Sequence, residues 1–183
     1  MSDLTFDYVT SILKYDPQTG YLIWKKRPID HFPDARAFKI WNTRWANKPA
    51  GNQTKHKGIQ IRINKKNYIA HRIVWLLAYE SYPIDDIDHI DNNPNNNRLS
   101  NLRLASKSEN QWNTRKHKNN TSGFKGVYFD RRSNRWVSKI MINNKNVYLG
   151  SFKSADDAHN AYKKASLSMH GRFSNFTQEA SPA

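Results

Sequence analysis

Between residues 87 and 110 the chain carries a run that leaves few folds open. Ile87-Asp88-His89-Ile90-Asp91 is followed by an asparagine-rich turn, Asn92-Asn93-Pro94-Asn95-Asn96-Asn97, and then by Arg98-Leu99-Ser100-Asn101-Leu102-Arg103. An acid and a histidine stand side by side at the end of an apolar run, and a short polar–apolar alternation returns after the turn. Ser106-Lys107-Ser108-Glu109 has the spacing at which Ser and Glu side chains cap each other's backbone N–H groups at a helix start. Asn110 follows on the first turn of that helix. Strand, loop, strand and helix, with Asp and His at one end and an amide on the helix, can hold one hard cation beside a general base.

The composition says what such a site would act on. Across 183 residues, 30 Lys and Arg face 15 Asp and Glu, a net charge of +15, and 13% of residues are aromatic. That balance points to a polyanionic partner, most often nucleic acid, although a ribosomal-type basic protein has the same signature. The absence of cysteine excludes disulfides and thiolate-held zinc. Met1-Ser2-Asp3-Leu4 lacks a basic-then-apolar signal segment, and no apolar run reaches membrane-spanning length. The expectation is a soluble, cytoplasmic protein with no membrane partner, built as one large domain or two small ones.

Before the central run, Leu4, Val9, Ile12 and Leu13 predict an amphipathic helix over residues 4–14, capped by Asp3. Tyr15-Asp16-Pro17-Gln18-Thr19-Gly20 is turn chemistry, and Tyr21-Leu22-Ile23-Trp24 reads as a strand. Residues 28–56 are less regular, and Trp41 and Trp45 are expected to anchor a small core. Ile59, Ile61 and Ile63 alternate with polar residues, and Tyr68-Ile69-Ala70 returns after Asn64-Lys65-Lys66-Asn67 as the second arm of a hairpin. His71 to Glu80 reads as a short, mostly buried helix broken before Pro83, with His71 a packed scaffold residue.

After the central run, Thr114 to Gly123 is polar, basic and without period, which suits a linker able to follow a phosphate backbone. Three strand-like alternations follow, around Val127–Phe129, Arg135–Ile142 and Val147–Leu149, with turns at Arg131-Arg132-Ser133-Asn134 and Asn143-Asn144-Lys145-Asn146. Ser154-Ala155-Asp156-Asp157 opens a helix whose apolar stripe is Ala155, Ala158, Tyr162, Ala165 and Met169, ended by Gly171. The helix is expected to cover the Trp136, Ile140, Val147 and Leu149 face of a three-stranded antiparallel sheet. Tyr128, Arg135, Lys139 and Tyr148 would then lie on the open face, with Arg131 and Arg132 at its turn.

Asp88-His89-Ile90-Asp91, Asn96-Asn97-Arg98, Asn101-Leu102-Arg103 and Ser108-Glu109-Asn110 resemble the HNH endonuclease family, specifically phage-type homing endonucleases with a His-Asn-Asn core. The likeness extends back through Tyr15–Gly20 and Tyr68–Arg72. Gly123-Phe124-Lys125-Gly126-Val127-Tyr128, Trp136, Tyr148-Leu149-Gly150-Ser151-Phe152 and the Ala-rich helix resemble the ethylene-response-factor (APETALA-class) DNA-binding domain. Such domains lay a three-stranded sheet in the DNA major groove.

The two resemblances imply an α+β protein: a ββα-metal nuclease domain joined to a small three-stranded sheet with one packed helix. The expected division is an N-terminal α/β platform at 1–56, the nuclease core at 57–115, a basic linker at 116–122, the sheet-and-helix domain at 123–177 and a tail at 178–183. The HNH likeness implies that His89 is the general base and that Asp88 and Asn110 are metal ligands, with Asn113 the competing helix ligand. Asn101 orients the His89 ring or braces the loop. One carboxylate and one amide suit Mg²⁺, with Mn²⁺ as a substitute, because Mg²⁺ keeps several waters. The expected DNA contacts are Lys116, Lys118, Lys125, Tyr128, Arg131, Arg132, Arg135, Lys139 and Tyr148.

The activity implied is homing-type endonucleolysis of double-stranded DNA to 5′-phosphate and 3′-OH ends, one strand per site, by a monomer or weak dimer. The alternative is a non-enzymatic DNA-binding regulator with a degenerate HNH scaffold. Adjacent residues on a regular strand point to opposite faces, so Asp88 and His89 can serve one phosphate only at a strand end or in a distorted stretch.

Overall fold

Thr5 opens the first helix: its hydroxyl accepts the Tyr8 N–H at 3.3 Å, and α1 covers Phe6–Ile12. The computed structural model describes residues 4–55, 57–116 and 118–176, so Asp3, the cap expected from sequence, and the tail at 178–183 lie outside the described residues. The chain divides into two compact units, Met1–Leu104 and Ala105–Ala183.

In the first unit the helix is shorter than its apolar spacing suggests. Leu13 leaves helical geometry (φ −128°, ψ 149°) and starts β1 (Leu13–Tyr15), pairing antiparallel with β2 (Leu22–Trp24) in the register Leu13↔Trp24. Sheet pairing overrides the helical period here, because Leu13 is buried equally well on the strand. Asp16 closes the intervening turn by accepting the Gln18 N–H and the Thr19 hydroxyl.

A second helix, α2 (Ala35–Trp45), stands where the sequence looked irregular; Asp34 caps it by accepting the Ala37 N–H at 2.6 Å. The strands β3 (Asn52–Thr54), β4 (Gly58–Ile63) and β5 (Lys66–Ile69) form one antiparallel sheet in that order. Asn64 and Lys65, both at positive φ, make the two-residue turn between β4 and β5 whose twist matches a hairpin. The chain runs directly into α3 (Ala70–Tyr79), which stops at Glu80 in the left-handed region. Val9, Ile12, Leu13, Ile61, Ile63, Ile73 and Val74 form the centre of this unit's core, each at 1% exposure or less. Each such side chain contributes about 1.5–3 kcal/mol of burial. β6 (Asp86–His89) and β7 (Leu102–Ala105) pair with each other and carry the Asn-rich loop between them.

The second unit begins with α4 (Lys107–Trp112), whose Ser106–Glu109 capping box is formed in both directions, as the spacing predicts. Its sheet has the order β10-β9-β8, from β8 (Val127–Asp130), β9 (Arg135–Ile142) and β10 (Lys145–Phe152). Gly126, at φ +74°, leads into β8; a Cβ there would collide with the Tyr162 ring and come within 2.6 Å of the Lys139 carbonyl.

α5 (Ala155–His170) packs on this sheet, capped by Ser154 and followed by Gly171. Its buried stripe is Ala158, Tyr162, Ser166 and His170, a strict four-residue ridge, whereas Met169 is 47% exposed. The expected stripe through Met169 therefore fails at its end, and Val147, expected under the helix, is exposed on an edge strand. Polar residues take the buried places because they satisfy one another. Ser166 Oγ lies 2.8 Å from Ser174 Oγ and 3.3 Å from His170 Nδ1, and His170 Nε2 donates to the Met141 carbonyl at 3.0 Å. No helix among the described residues is long and apolar enough to cross a membrane.

Candidate functional site

His89 is the last residue of β6 and is 9% exposed. Its Nε2 lies 3.0 Å from Oδ1 of Asn97, which is itself 1% exposed. A carboxamide oxygen only accepts, so the ring donates Nε2–H to it, which leaves Nδ1 as the ring nitrogen that can take up a proton whenever the imidazole is neutral. From sequence Asn97 belongs to the Asn96-Asn97-Arg98 motif but has no role of its own; a run of asparagines carries no period that distinguishes one of them.

The loop that presents Asn97 is held from the opposite end of the unit's sequence. The Tyr15 hydroxyl donates to the Asn97 carbonyl at 3.3 Å and accepts the Leu99 N–H at 3.0 Å. Arg98 Nε donates to the Gln18 carbonyl at 2.8 Å. Gly20, at φ +80°, lies so close that a Cβ would come within 2.7 Å of the Arg98 nitrogen. The turn at residues 15–20 is thus a clamp on the loop.

Asp88, one residue before His89 and 4% exposed, pairs with Arg103 on β7: Oδ2 accepts Nε–H at 2.8 Å and lies 2.6 Å from the second guanidinium nitrogen. Asp88 and His89 stand at the strand end, the placement that sequence geometry demanded of them. Asn101 closes the loop. Its Oδ1 accepts the Asp91 N–H at 3.0 Å, and its Nδ2 donates to Asp91 Oδ1 at 2.9 Å and to the Asn96 carbonyl at 2.8 Å. These contacts brace the loop. Burial works to raise the Asp91 carboxyl, but hydrogen bonds from Asn96, the Asn93 N–H and Asn101 outweigh it and hold the pKa below the usual value.

His71, on the first turn of α3, meets His89 edge to face with ring centroids 5.0 Å apart. Burial, reinforced by the nearby His89 and Arg72, pushes its pKa down to about 3, so it stays neutral beside His89. Its Nδ1 is buried without a hydrogen-bond partner.

Asn110, half-buried, and Asn113, 2% exposed, belong to the second unit, on and just after α4. There the end of α4 is tied down by Lys125, whose ammonium donates to the carbonyls of Gln111, Trp112 and Thr114 at 2.7–3.3 Å. Burial pushes the Lys125 pKa down to about 8. Lys125, expected on DNA, spends its donors on this helix end. Trp112 stacks on His170 with centroids 4.3 Å apart.

On the sheet, the register sets Lys139 opposite Tyr148 and Tyr128 opposite Val137, which brings Tyr128, Arg135, Lys139 and Tyr148 to one face. Lys139 Nζ sits 5.3 Å from the Tyr128 ring centroid, and a hydrogen bond to the Tyr128 hydroxyl raises its pKa. Tyr128 and Tyr148 are 42% and 59% exposed. Arg131, Arg132, Lys116 and Lys118 are exposed, although Lys116 donates to the Gly123 carbonyl. Arg135 is half-buried and donates to the Ser151 carbonyl at 3.3 Å. Arg115, Lys116, Lys139, Asn120 and Asn146 help line a basic cavity of about 210 Å³ within this unit.

Comparison with known proteins agrees with both halves. The HNH endonuclease family matches residues 68–112 and the AP2 domain family matches residues 122–172. "Protein 3.8" of Escherichia phage T7 is 37% identical over 92 residues, 49% of this chain and 74% of the phage protein. The chain belongs to the HNH endonuclease family. Its second half is similar to "APETALA2-like protein 2" of Oryza sativa subsp. japonica, 43% identical over 51 residues, which cover 28% of this chain and 12% of the plant protein. "AP2-like ethylene-responsive transcription factor TOE2" of Arabidopsis thaliana is 43% identical over 51 residues, 28% of this chain and 10% of its own length. The chain thus spans about a tenth of these plant proteins. No solved structure matches. The HNH and AP2 matches together support a DNA nuclease or DNA-binding role. The α+β architecture with small antiparallel sheets fits this family assignment.

Proposed function

We propose that this HNH family member is a metal-dependent, sequence-preferring DNA endonuclease of homing type that nicks one strand per site, leaving 5′-phosphate and 3′-OH ends. The observation that carries the reading is His89 at the end of β6, its Nε2–H committed to Asn97, with Asp88 adjacent. In this role His89 takes a proton from the attacking water at Nδ1, and Asn97 keeps the ring in the tautomer that can accept it. Asn101 keeps the loop closed beneath them.

The ligand assignment, Asp88 with Asn110 (or Asn113), follows from the family pattern. One carboxylate and one amide are hard oxygen donors, and the sequence has no cysteine to offer zinc a thiolate. Such a sparse set fits Mg²⁺, or Mn²⁺ in its place, rather than zinc. When bound, the ion supplies charge neutralisation at the phosphate and at the departing 3′ oxygen. The open face of the second unit's sheet, with Tyr128, Arg131, Arg132, Arg135, Lys139 and Tyr148, is assigned to duplex DNA, with Lys116 and Lys118 along the backbone. One site per chain suits a monomer or weak dimer, acting in the cytoplasm of the cell that carries its target.

A second reading, a DNA-binding regulator on an HNH scaffold, is favoured by the buried Asp88–Arg103 ion pair, which already occupies one carboxylate oxygen. Nicking of supercoiled DNA by wild type and His89→Ala, with Mg²⁺, with Mn²⁺ and with EDTA, separates the two. The nuclease reading expects nicking by wild type alone, abolished by EDTA. DNA binding by both proteins with nicking by neither leaves the regulator.

A further inference from the structure

α2 is an eleven-residue helix on which no residue is buried, yet it carries Phe38, Ile40, Trp41 and Trp45 among Arg36, Lys39 and Arg44. A helix that serves only to close a core buries its apolar face; here Trp41 packs against the core, but Ile40 stays 56% and Trp45 40% exposed. Beside it lies a cavity of about 220 Å³ lined by Trp24, Trp41, Trp45, Gly51, Asn52 and Arg62. This is smaller than the roughly 300–1,000 Å³ of clefts that take drug-sized ligands.

The walls of the cavity are specific in kind. Trp24 and Trp41 meet edge to face with centroids 5.2 Å apart, and the Arg44 guanidinium lies 5.0 Å from the Trp45 ring. Asn52, opposite Gln60 in the sheet register, and the exposed Arg62 two residues further along β4 come from one sheet face, while Ile61 and Ile63 point into the core. The site therefore combines indole surface, one amide that can both donate and accept, and a guanidinium, with no carboxylate among the lining residues. A flat, neutral, hydrogen-bonding ring attached to an anion meets all three requirements.

We propose that this cavity is a stacking site for a single unpaired or extruded nucleobase of DNA, with Trp45 and Trp41 against the ring, Asn52 at its polar edge and Arg62 on the attached phosphate. Stacking on aromatic side chains, with arginine tracking the backbone, is how proteins hold unpaired strands without reading sequence. In a paired duplex the ring is stacked on its neighbours, so the site selects bulged, flipped or melted positions. This goes beyond the nuclease reading and does not depend on cleavage.

The full chain, without added metal, is cross-linked to a duplex carrying one bulged 5-iododeoxyuridine, and the adducts are mapped by peptide mass spectrometry. In parallel, binding of bulged and fully paired duplexes is measured for wild type, Trp45→Ala, Trp45→Phe and Arg62→Ala. Adducts are expected on Trp41 or Trp45. Trp45→Ala should lose about tenfold in affinity for the bulged duplex and little for the paired one, with Trp45→Phe retaining most of it. Adducts confined to Tyr128 or Tyr148 overturn the proposal, as do Trp45→Ala and Arg62→Ala variants that bind both duplexes like wild type. A Trp45→Ala variant that changes only self-association in sedimentation also overturns it, and assigns the cavity to a second copy of the chain.

Discussion

Asn97 accepts the Nε2–H of His89 at 3.0 Å from eight positions further along the chain, with both side chains buried. If His89 is the general base, its effectiveness depends on that contact. Asn97→Ala leaves the ring able to rotate and to adopt the other tautomer. Single-turnover cleavage is expected to fall about 10–100-fold, the usual cost of losing a partner that orients a functional imidazole, with DNA affinity nearly unchanged. Equal losses in affinity and in cleavage would reduce Asn97 to loop scaffolding.

The Asp88–Arg103 pair is shielded from water, with side chains 5% and 11% exposed. Removing one partner from a buried pair strands the other charge, at a cost of about 3–5 kcal/mol. Arg103→Ala is therefore expected to be strongly destabilised in urea unfolding, and Asp88→Asn combined with Arg103→Met to recover most of that loss. Additive losses in the double variant would show that the pair is not coupled.

His71 predicts a pH dependence of stability. Its pKa is about 3 in the folded protein, set first by burial and then by His89 and Arg72, against 6.5 for the ordinary group. Between those values the unfolded chain binds a proton that the folded chain does not. Stability is therefore complete above pH 6.5 and is lost as the pH falls towards 3. His71→Leu should flatten the decline in urea midpoint between about pH 7 and pH 4. A decline as steep as in wild type would place the acid sensitivity elsewhere.

Lys139 faces solvent above the Tyr128 ring and is held charged by the Tyr128 hydroxyl. Lys139→Ala should weaken duplex binding and reduce the salt-dependence slope by about one, while Lys125→Ala acts on α4 instead and leaves that slope alone. Fluorescence anisotropy at several salt concentrations reads both. An unaltered slope in Lys139→Ala would remove it from the DNA-facing surface.

Much of the fold was legible because its signals are local. The Ser106–Glu109 box, the Asn64–Lys65 and Asn143–Asn144 turns and the run into α3 each depend on residues within a few positions of one another. The pairing of motifs likewise pointed to HNH and AP2 architecture from residue types and their order. α2 is harder to read because only Trp41 of its Phe38-Trp41-Trp45 face packs against the core and no residue of the helix is fully buried.

What the sequence by itself determined is the set of groups available: one Asp-His pair at a strand end, amides on a loop and on a helix, and cations alternating with aromatics along a sheet. Only the tertiary structure decided their employment. Asn97 rather than Asn95 or Asn96 meets His89 because Tyr15 and Gly20, some eighty positions earlier, fix the loop's path. Arg103 joins Asp88 because β6 and β7 pair, and Lys125 ties down the end of α4 because three carbonyls there accept from its ammonium. Hydrogen bonds between distant segments depend on the path of the whole chain, and no local pattern encodes them.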